Sequence, residues 1–166
     1  MTDHAKPGLS VIIPAHNEAG LIGPCLDAVL ASDWAGGGIE VIVVANGCTD
    51  ATLPEAETRR TAAEARGWRL QVLDLAQGSK PGALNAGERA ATGGVLAYLD
   101  ADVEVSRPLL AQIAQVLSGR DPAYASGQVV IPPPQNAFSR TYARFYRQVP
   151  FFHHGVPGCG FFAMNR

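Results

Sequence analysis

Apolar residues fall along this chain in short runs, separated by polar loops marked with glycine and proline. Continuous apolar runs at 9–13, 39–44, 70–75, 96–99 and 124–131 predict buried strands, which lack the alternation of half-exposed ones. Between them, Ile22, Cys25, Leu26, Val29 and Leu30 recur at helical spacing, as do Leu109, Leu110, Ile113, Val116 and Leu117. An alanine-rich helix is expected from the turn at 45–50 to about Arg66, and a shorter one after Pro81 with Leu84, Ala86, Ala90 and Ala91 on its packing side. Asn17, Asp50 and Ser106 are placed to cap helices, with Glu18 in a first turn. Pro14 is expected to end the first strand, and Pro132, Pro133 and Pro134 to stop the fifth. A last strand at 160–164 is expected to sit unprotected at the terminus. Strands alternating with helices imply βαβ units: an α/β fold with a mostly parallel central sheet and helices on both faces.

Composition narrows the class. The 166 residues are 47% hydrophobic and 17% charged, with a formal net charge of −2, which fits one soluble globular domain and argues against nucleic acid as the main partner. No apolar run reaches the 18 residues of a transmembrane helix, and residues 1–7 lack an apolar signal core, so a cytoplasmic location is expected. Cys25, Cys48 and Cys159 are scattered without metal-ligand spacing and are read as reduced thiols.

The polar clusters at 14–18, 45–50, 77–82 and 100–102 each follow a strand. In an open α/β sheet such loops converge beyond the carboxyl ends of the strands, where ligands bind. Asp100 and Asp102 stand one residue apart at the end of an apolar run, as hard oxygen ligands for a divalent cation would. Lys80 follows Gly78 in a loop that leads into a helix, where a point positive charge suits a phosphate.

Four segments resemble family 2 glycosyltransferases in order and spacing: 10–18 (Ser-Val-Ile-Ile-Pro-Ala-His-Asn-Glu), 46–50 (Asn-Gly-Cys-Thr-Asp), 80–87 (Lys-Pro-Gly-Ala-Leu-Asn-Ala-Gly) and 100–102 (Asp-Ala-Asp). The resemblance covers roughly residues 8–131. It implies a GT-A fold, a Rossmann-like three-layer sandwich, with residues 1–166 forming a single domain that is incomplete on its C-terminal, acceptor side. It also implies inverting transfer of a sugar from a nucleotide diphospho-sugar to an acceptor hydroxyl. Asp100 and Asp102 would serve catalysis by holding Mg²⁺ or Mn²⁺, and Lys80 would take the diphosphate. Pro14, Ala15, His16, Asn17, Glu18, Asn46 and Asp100 would line the nucleoside and donor.

Where the family commonly has two acids before Gly47, this chain has Ala45 and Asn46, whose amide both donates and accepts. The implied donor is a UDP-sugar first and a GDP-sugar second, with base recognition altered at Asn46. Inverting transfer needs a general base, and none follows the segment 156–166, which resembles the family's glycine-rich acceptor-side stretch. Adjacent His153 and His154 point to opposite faces of an extended segment and are read as ordinary surface or core residues. Phe138, Tyr142, Phe145, Tyr146 and Val149 form an aromatic stripe opposite Arg140, Arg144 and Arg147. Packing is the plainer reading of that stripe, and a lipid-linked acceptor the sharper one. Two rival functions are a non-catalytic nucleotide-sugar-binding remnant and, less favoured, a nucleotidyltransferase. The latter is expected to carry a glycine-rich basic loop where this chain has residues 14–18.

Overall fold

Six strands form one sheet in the order β3-β2-β1-β4-β6-β5: β1 Leu9–Ala15, β2 Ile39–Asn46, β3 Arg69–Leu75, β4 Val95–Leu99, β5 Tyr124–Ser126 and β6 Phe161–Asn165. The structure is a computed structural model and describes residues 8–118, 123–128, 130, 133–134, 139–141, 144–145 and 160–166. β1 pairs in parallel with β2 and β4, and β2 with β3, while β6 runs antiparallel to both β4 and β5. The sheet is thus mostly parallel, as expected. Every residue of β1 and β2 is buried, which explains why both read as unbroken apolar runs.

Helices cover both faces. Leu9, Val11 and Ile13 of β1 face α1 (Ile22–Leu30), α2 (Thr52–Glu57), α3 (Arg60–Ala65) and α5 (Leu109–Leu117) through Leu26, Val29, Ala56, Ala63, Leu110 and Ile113. Ile12, Ile42, Val44, Leu96 and Tyr98 face the other way, against α4 (Lys80–Ala90). In α4, Ala83 and Gly87 are the buried residues, while Leu84, Ala86 and Ala90 flank them half-buried. A Cβ on Gly87 would lie 2.4 Å from Cγ2 of Ile12, so the helix rides directly on β1. Gly87→Ala is therefore expected to cost about 1–3 kcal/mol by overpacking, read as a lower urea midpoint at unchanged slope.

Several boundaries differ from the sequence expectation for identifiable reasons. Pro14 does not end β1. β4 pairs with β1 only from Leu9 to Ile12, so at Pro14 the β4 side has no partner strand, and a residue without an N–H is tolerated there. The single helix expected to reach Arg66 is two, α2 and α3, because the Thr58 hydroxyl donates to the Glu55 carbonyl (2.7 Å) and competes with the helical ladder. Neither Asn17 nor Ser106 caps a helix: α1 starts behind Leu21 and α5 behind Pro108, both without a side-chain cap. In the α5 stripe Val116 is exposed while Leu110, Ile113 and Leu117 are buried. β5 is shorter than expected, ending at Ser126. The last strand is not unprotected: β6 lies between β4 and β5. Of the aromatic stripe, Phe138, Tyr142, Tyr146 and Val149 lie outside the described residues, as do Arg147, His153, His154 and Cys159.

The chain returns at β1. β2 and β3 add on one side of it, and β4 then adds on the other. The carboxyl ends of β1 and β4 flank that reversal, which is where an α/β sheet leaves a crevice.

Candidate functional site

The loop after β1 has little helical order, and its backbone is held from outside. Three successive amides donate to side chains at the start of α2: Glu18 N to Thr52 Oγ1 (2.8 Å), Ala19 N to Asp50 Oδ2 (3.0 Å) and Gly20 N to Glu55 Oε2 (2.7 Å). Asn17, at φ 55°, accepts from the Thr49 amide (2.8 Å) through Oδ1. Asp50 also accepts from the Thr52 hydroxyl and from Thr52 N (3.0 Å). Yet the N-cap of α2 is Ala51, without a side-chain cap, so Asp50 does not cap the helix as expected but ties two loops together. These bonds, the Thr52 hydroxyl first, hold its carboxyl below its ordinary value. The third loop is anchored by Asn46, which is buried at the end of β2 and accepts from Ser79 N through Oδ1. Ser79 caps α4 by accepting from Gly82 N (3.1 Å). Gly47, at φ +63°, lies so close to the same loop that a Cβ would meet Gly78 N at 2.6 Å.

Held this way, the three loops and the end of β4 enclose a cavity of about 190 Å³, lined by Pro14, His16, Glu18, Asn46, Lys80, Asp100, Ala101 and Asp102. His16 Nδ1–H donates to the Asn46 carbonyl (2.6 Å), which fixes the ring against the end of β2. Lys80 Nζ donates to Asp100 Oδ1 (2.7 Å). Most sequence-singled residues therefore meet in one place. Ala15 and Asn17 do not line the cavity; Ala15 is buried behind it, and Asn17 braces the loop. Glu104 is exposed.

The cavity is acidic. Burial first, then the charges of Asp102, Asp50 and Asp100, raise the Glu18 carboxyl above its ordinary value of 4.5, with His16 opposing. A carboxyl raised in the fold contributes stability below its unfolded pKa and loses it as pH rises through the folded one. Glu18→Gln is accordingly expected to raise the melting temperature at pH 7 and to leave it unchanged below about pH 4. Burial first, then the charges of Asp102, Glu104 and Asp100, push the Cys25 thiol up to about 12, so it is an inert packing group.

Among the described residues no group of three His, Cys, Asp or Glu side chains is arranged to hold a metal ion. Asp100 and Asp102 nonetheless fit Mg²⁺ or Mn²⁺, which are commonly held by one or two carboxylates plus substrate phosphates. The surrounding excess of acids over bases favours a cation there. Sequence reasoning missed Ser79, Thr52 and Glu55. Thr52 and Glu55 accept from backbone amides of a distant loop, and Ser79 gives its own amide to the Asn46 side chain; a hydroxyl or carboxylate at a helix start carries no sign of such a partner. It also missed a second cavity, of about 150 Å³, whose wall includes Leu84, Tyr98, Phe161 and Phe162.

The sequence model of glycosyl transferase family 2 matches residues 10–166. The chain belongs to that family. Among its relatives is the glycosyltransferase AglE of Haloferax volcanii, 36% identical over 125 residues, a match covering 74% of this chain and 40% of AglE. This family member thus spans well under half the length of that relative. Among solved structures, the mannosyltransferase PcManGT of Pyrobaculum calidifontis, in complex with GDP-Man and Mn²⁺, is 28% identical with a TM-score of 0.69, covering 98% of this chain and 45% of its own. Staphylococcus aureus TarS with UDP-GlcNAc shares the fold, at 24% identity and a TM-score of 0.62 over 76% of this chain and 37% of its own. Both neighbours were solved with a nucleotide-sugar, and the mostly parallel six-stranded α/β sheet here matches their GT-A fold.

Proposed function

We propose that this chain carries the donor site of a metal-dependent, inverting glycosyltransferase that moves a sugar from a nucleotide diphospho-sugar to an acceptor hydroxyl. One observation carries the reading: the loops after β1 and β2, the start of α4 and the end of β4 meet in one acidic cavity holding a single lysine. A sugar nucleotide has matching polarity, with a diphosphate at one end of the nucleoside. Asp100 and Asp102 offer carboxylate oxygens to Mg²⁺ or Mn²⁺, and Lys80 offers its ammonium to a diphosphate oxygen. The nucleoside lies against Pro14, His16, Glu18 and Asn46, where the second ring nitrogen of His16 and the carboxyl of Glu18 are offered to base edges and ribose hydroxyls. Ala15 and Asn17 act by fixing that loop. When bound, the cation supplies Lewis-acid stabilisation of the departing nucleoside diphosphate, so no protein acid is needed there. Inversion follows from direct displacement at the anomeric carbon, and no described residue takes the part of general base in this reading.

A UDP- or GDP-sugar donor is supported by neighbours that bind UDP-GlcNAc and GDP-Man. An acceptor on a lipid carrier is part of the same proposal, and its test is co-sedimentation with anionic vesicles, where no binding removes it. No helix among the described residues is long and apolar enough to cross a membrane. A cytoplasmic location for this single domain is proposed alongside.

Calorimetric titration with UDP, GDP and ADP, each with and without Mn²⁺, tests the donor site. Binding of one nucleotide only in the presence of Mn²⁺ is the expected result. No binding of any nucleotide withdraws the reading. Release of nucleoside diphosphate on adding acceptor then separates a transferase from a protein that only holds its donor.

A further inference from the structure

The two cavities are neighbours with a common wall. Both are lined by Pro14, Lys80 and Asp100. The Lys80–Asp100 ion pair, at 2.7 Å, is therefore the partition between the acidic donor cavity and an apolar one walled by Leu84, Phe161 and the stacked rings of Tyr98 and Phe162 (4.4 Å). Lys80 is also the only cation lining either cavity, among the described residues, while Glu18, Asp100 and Asp102 are the acids.

We propose that Lys80 is a tethered stand-in cation, a latch on Asp100 that makes the divalent metal and the diphosphate bind as a coupled pair. The inference rests on the donor-site reading above. A metal ion arriving alone meets an ammonium already bonded to the Asp100 oxygen it needs. A diphosphate arriving alone must draw Lys80 away and leave Asp100 bare beside Asp102 and Glu18, three carboxylates in one cavity. Arriving together, the two ligands exchange partners with the pair: the ammonium goes to phosphate and the carboxylate to metal. Each ligand then raises the affinity for the other by the same factor, as linkage requires. Release of the pair also withdraws the partition, so the apolar cavity opens onto the donor only once the donor is loaded. Lys80 stands at the first position of α4, behind the extended Ser79, so its side chain swings without disturbing the helix.

The strength of the latch is bounded by its exposure. Lys80 is 61% and Asp100 36% exposed, and half-solvated pairs are modest. Lys80→Met is expected to tighten binding of Mn²⁺ alone by roughly three- to tenfold, and to shrink by at least that factor the tightening that nucleoside diphosphate brings. Arg89→Met is the control, because exposed Arg89 lies at the other end of α4, about 13 Å from Lys80 at 1.5 Å per residue, and changes net charge equally. The measurement is free Mn²⁺ by electron paramagnetic resonance, with and without the nucleotide identified by calorimetry. A tighter Mn²⁺ site in Lys80→Met, with Arg89→Met within twofold of wild type, establishes the latch. Equal effects of the two variants, no change in Lys80→Met, or no Mn²⁺ bound by it while the wild type still binds nucleotide with metal overturns the latch alone. Absence of any nucleotide binding by the wild type with Mn²⁺ overturns the donor-site reading and the latch with it.

Discussion

Asp102→Ala is expected to abolish metal-dependent nucleotide binding while leaving the fold intact. Asp102 lies beyond the end of β4, on a loop that lines the cavity and contributes nothing to the sheet ladders. Its charge works against the folded state, since it is the foremost charged contributor to the raised Glu18 carboxyl. Removing it relieves that repulsion, so the melting temperature at neutral pH is expected to hold or rise. Binding moves the other way. A divalent cation held by two carboxylates and a diphosphate loses one of its protein ligands, and metal stabilisation of a leaving group supplies several kcal/mol. A fall of about 100-fold or more in kcat/KM, with nucleotide affinity no longer responsive to Mn²⁺, is therefore expected. Calorimetry and a thermal melt on the same sample check both halves. Retained Mn²⁺-dependent affinity would remove Asp102 from the metal site.

The same reasoning separates Asp102 from Asp100. Asp100 already has a cationic partner in Lys80, whereas Asp102 makes no ion pair or side-chain hydrogen bond among the described residues and shares the cavity with Glu18 and Asp100. Asp102 is thus the exposed half of the proposed metal site, and Asp100 the half that Lys80 must release.

Much of this arrangement was legible before any coordinates. Continuous apolar runs marked the buried parallel strands, because a strand covered on both faces has no polar side to show. The clustering of polar residues after those strands then placed the site, since topology alone brings carboxyl ends together. Boundaries were less legible. Pro14 reads as a stop signal in isolation, and only the early end of β4 pairing makes room for it inside β1. The helix at 52–65 is broken by a hydroxyl whose competing bond depends on local geometry rather than composition. Asn17 and Ser106 carry the right side chains for capping, yet Asn17 is drawn off by Thr49 on another loop. Sequence separations of thirty or more residues, such as Asn17 to Thr49 or Asn46 to Ser79, hide that kind of partner. In α4 the buried positions are the smallest side chains, Ala83 and Gly87, because the helix lies too close to Ile12 for anything larger, and small residues give a weak periodic signal.

Glu40→Ala is expected to be among the most destabilising single changes in the chain. Glu40 interrupts the apolar run of β2 with a carboxylate that is only 1% exposed, at the end of the sheet opposite the cavity. One of its oxygens, Oε2, accepts from Ser10 Oγ (2.8 Å) on β1 and from Thr92 N (2.8 Å) ahead of β4. The other, Oε1, has no hydrogen bond and instead faces Arg69 Nη1 of β3 at 3.2 Å. Ser10 in turn accepts from Gly93 N (2.9 Å), so one carboxylate ties β1, β2, β3 and the entry to β4 at their amino ends. A buried charge is costly unless it is paired and bonded, and here β1, β3 and the turn before β4 supply the partners. Truncation leaves the Ser10 hydroxyl and the Thr92 amide unmatched and opens a void between paired strands. The expected loss is about 3–5 kcal/mol, seen as a large drop in the urea midpoint. Glu40→Gln keeps the shape and the acceptor oxygen while giving up the charge attraction of the half-exposed Arg69, and is expected to lose about 1–2 kcal/mol. A Glu40→Ala variant as stable as wild type would mean that the carboxylate's desolvation had cancelled its bonds, as it does when an apolar group replaces a buried ion pair at no loss. Because these contacts lie at the far end of the strands from Asp100 and Asp102, the nucleotide affinity of whatever fraction stays folded is expected to remain that of the wild type.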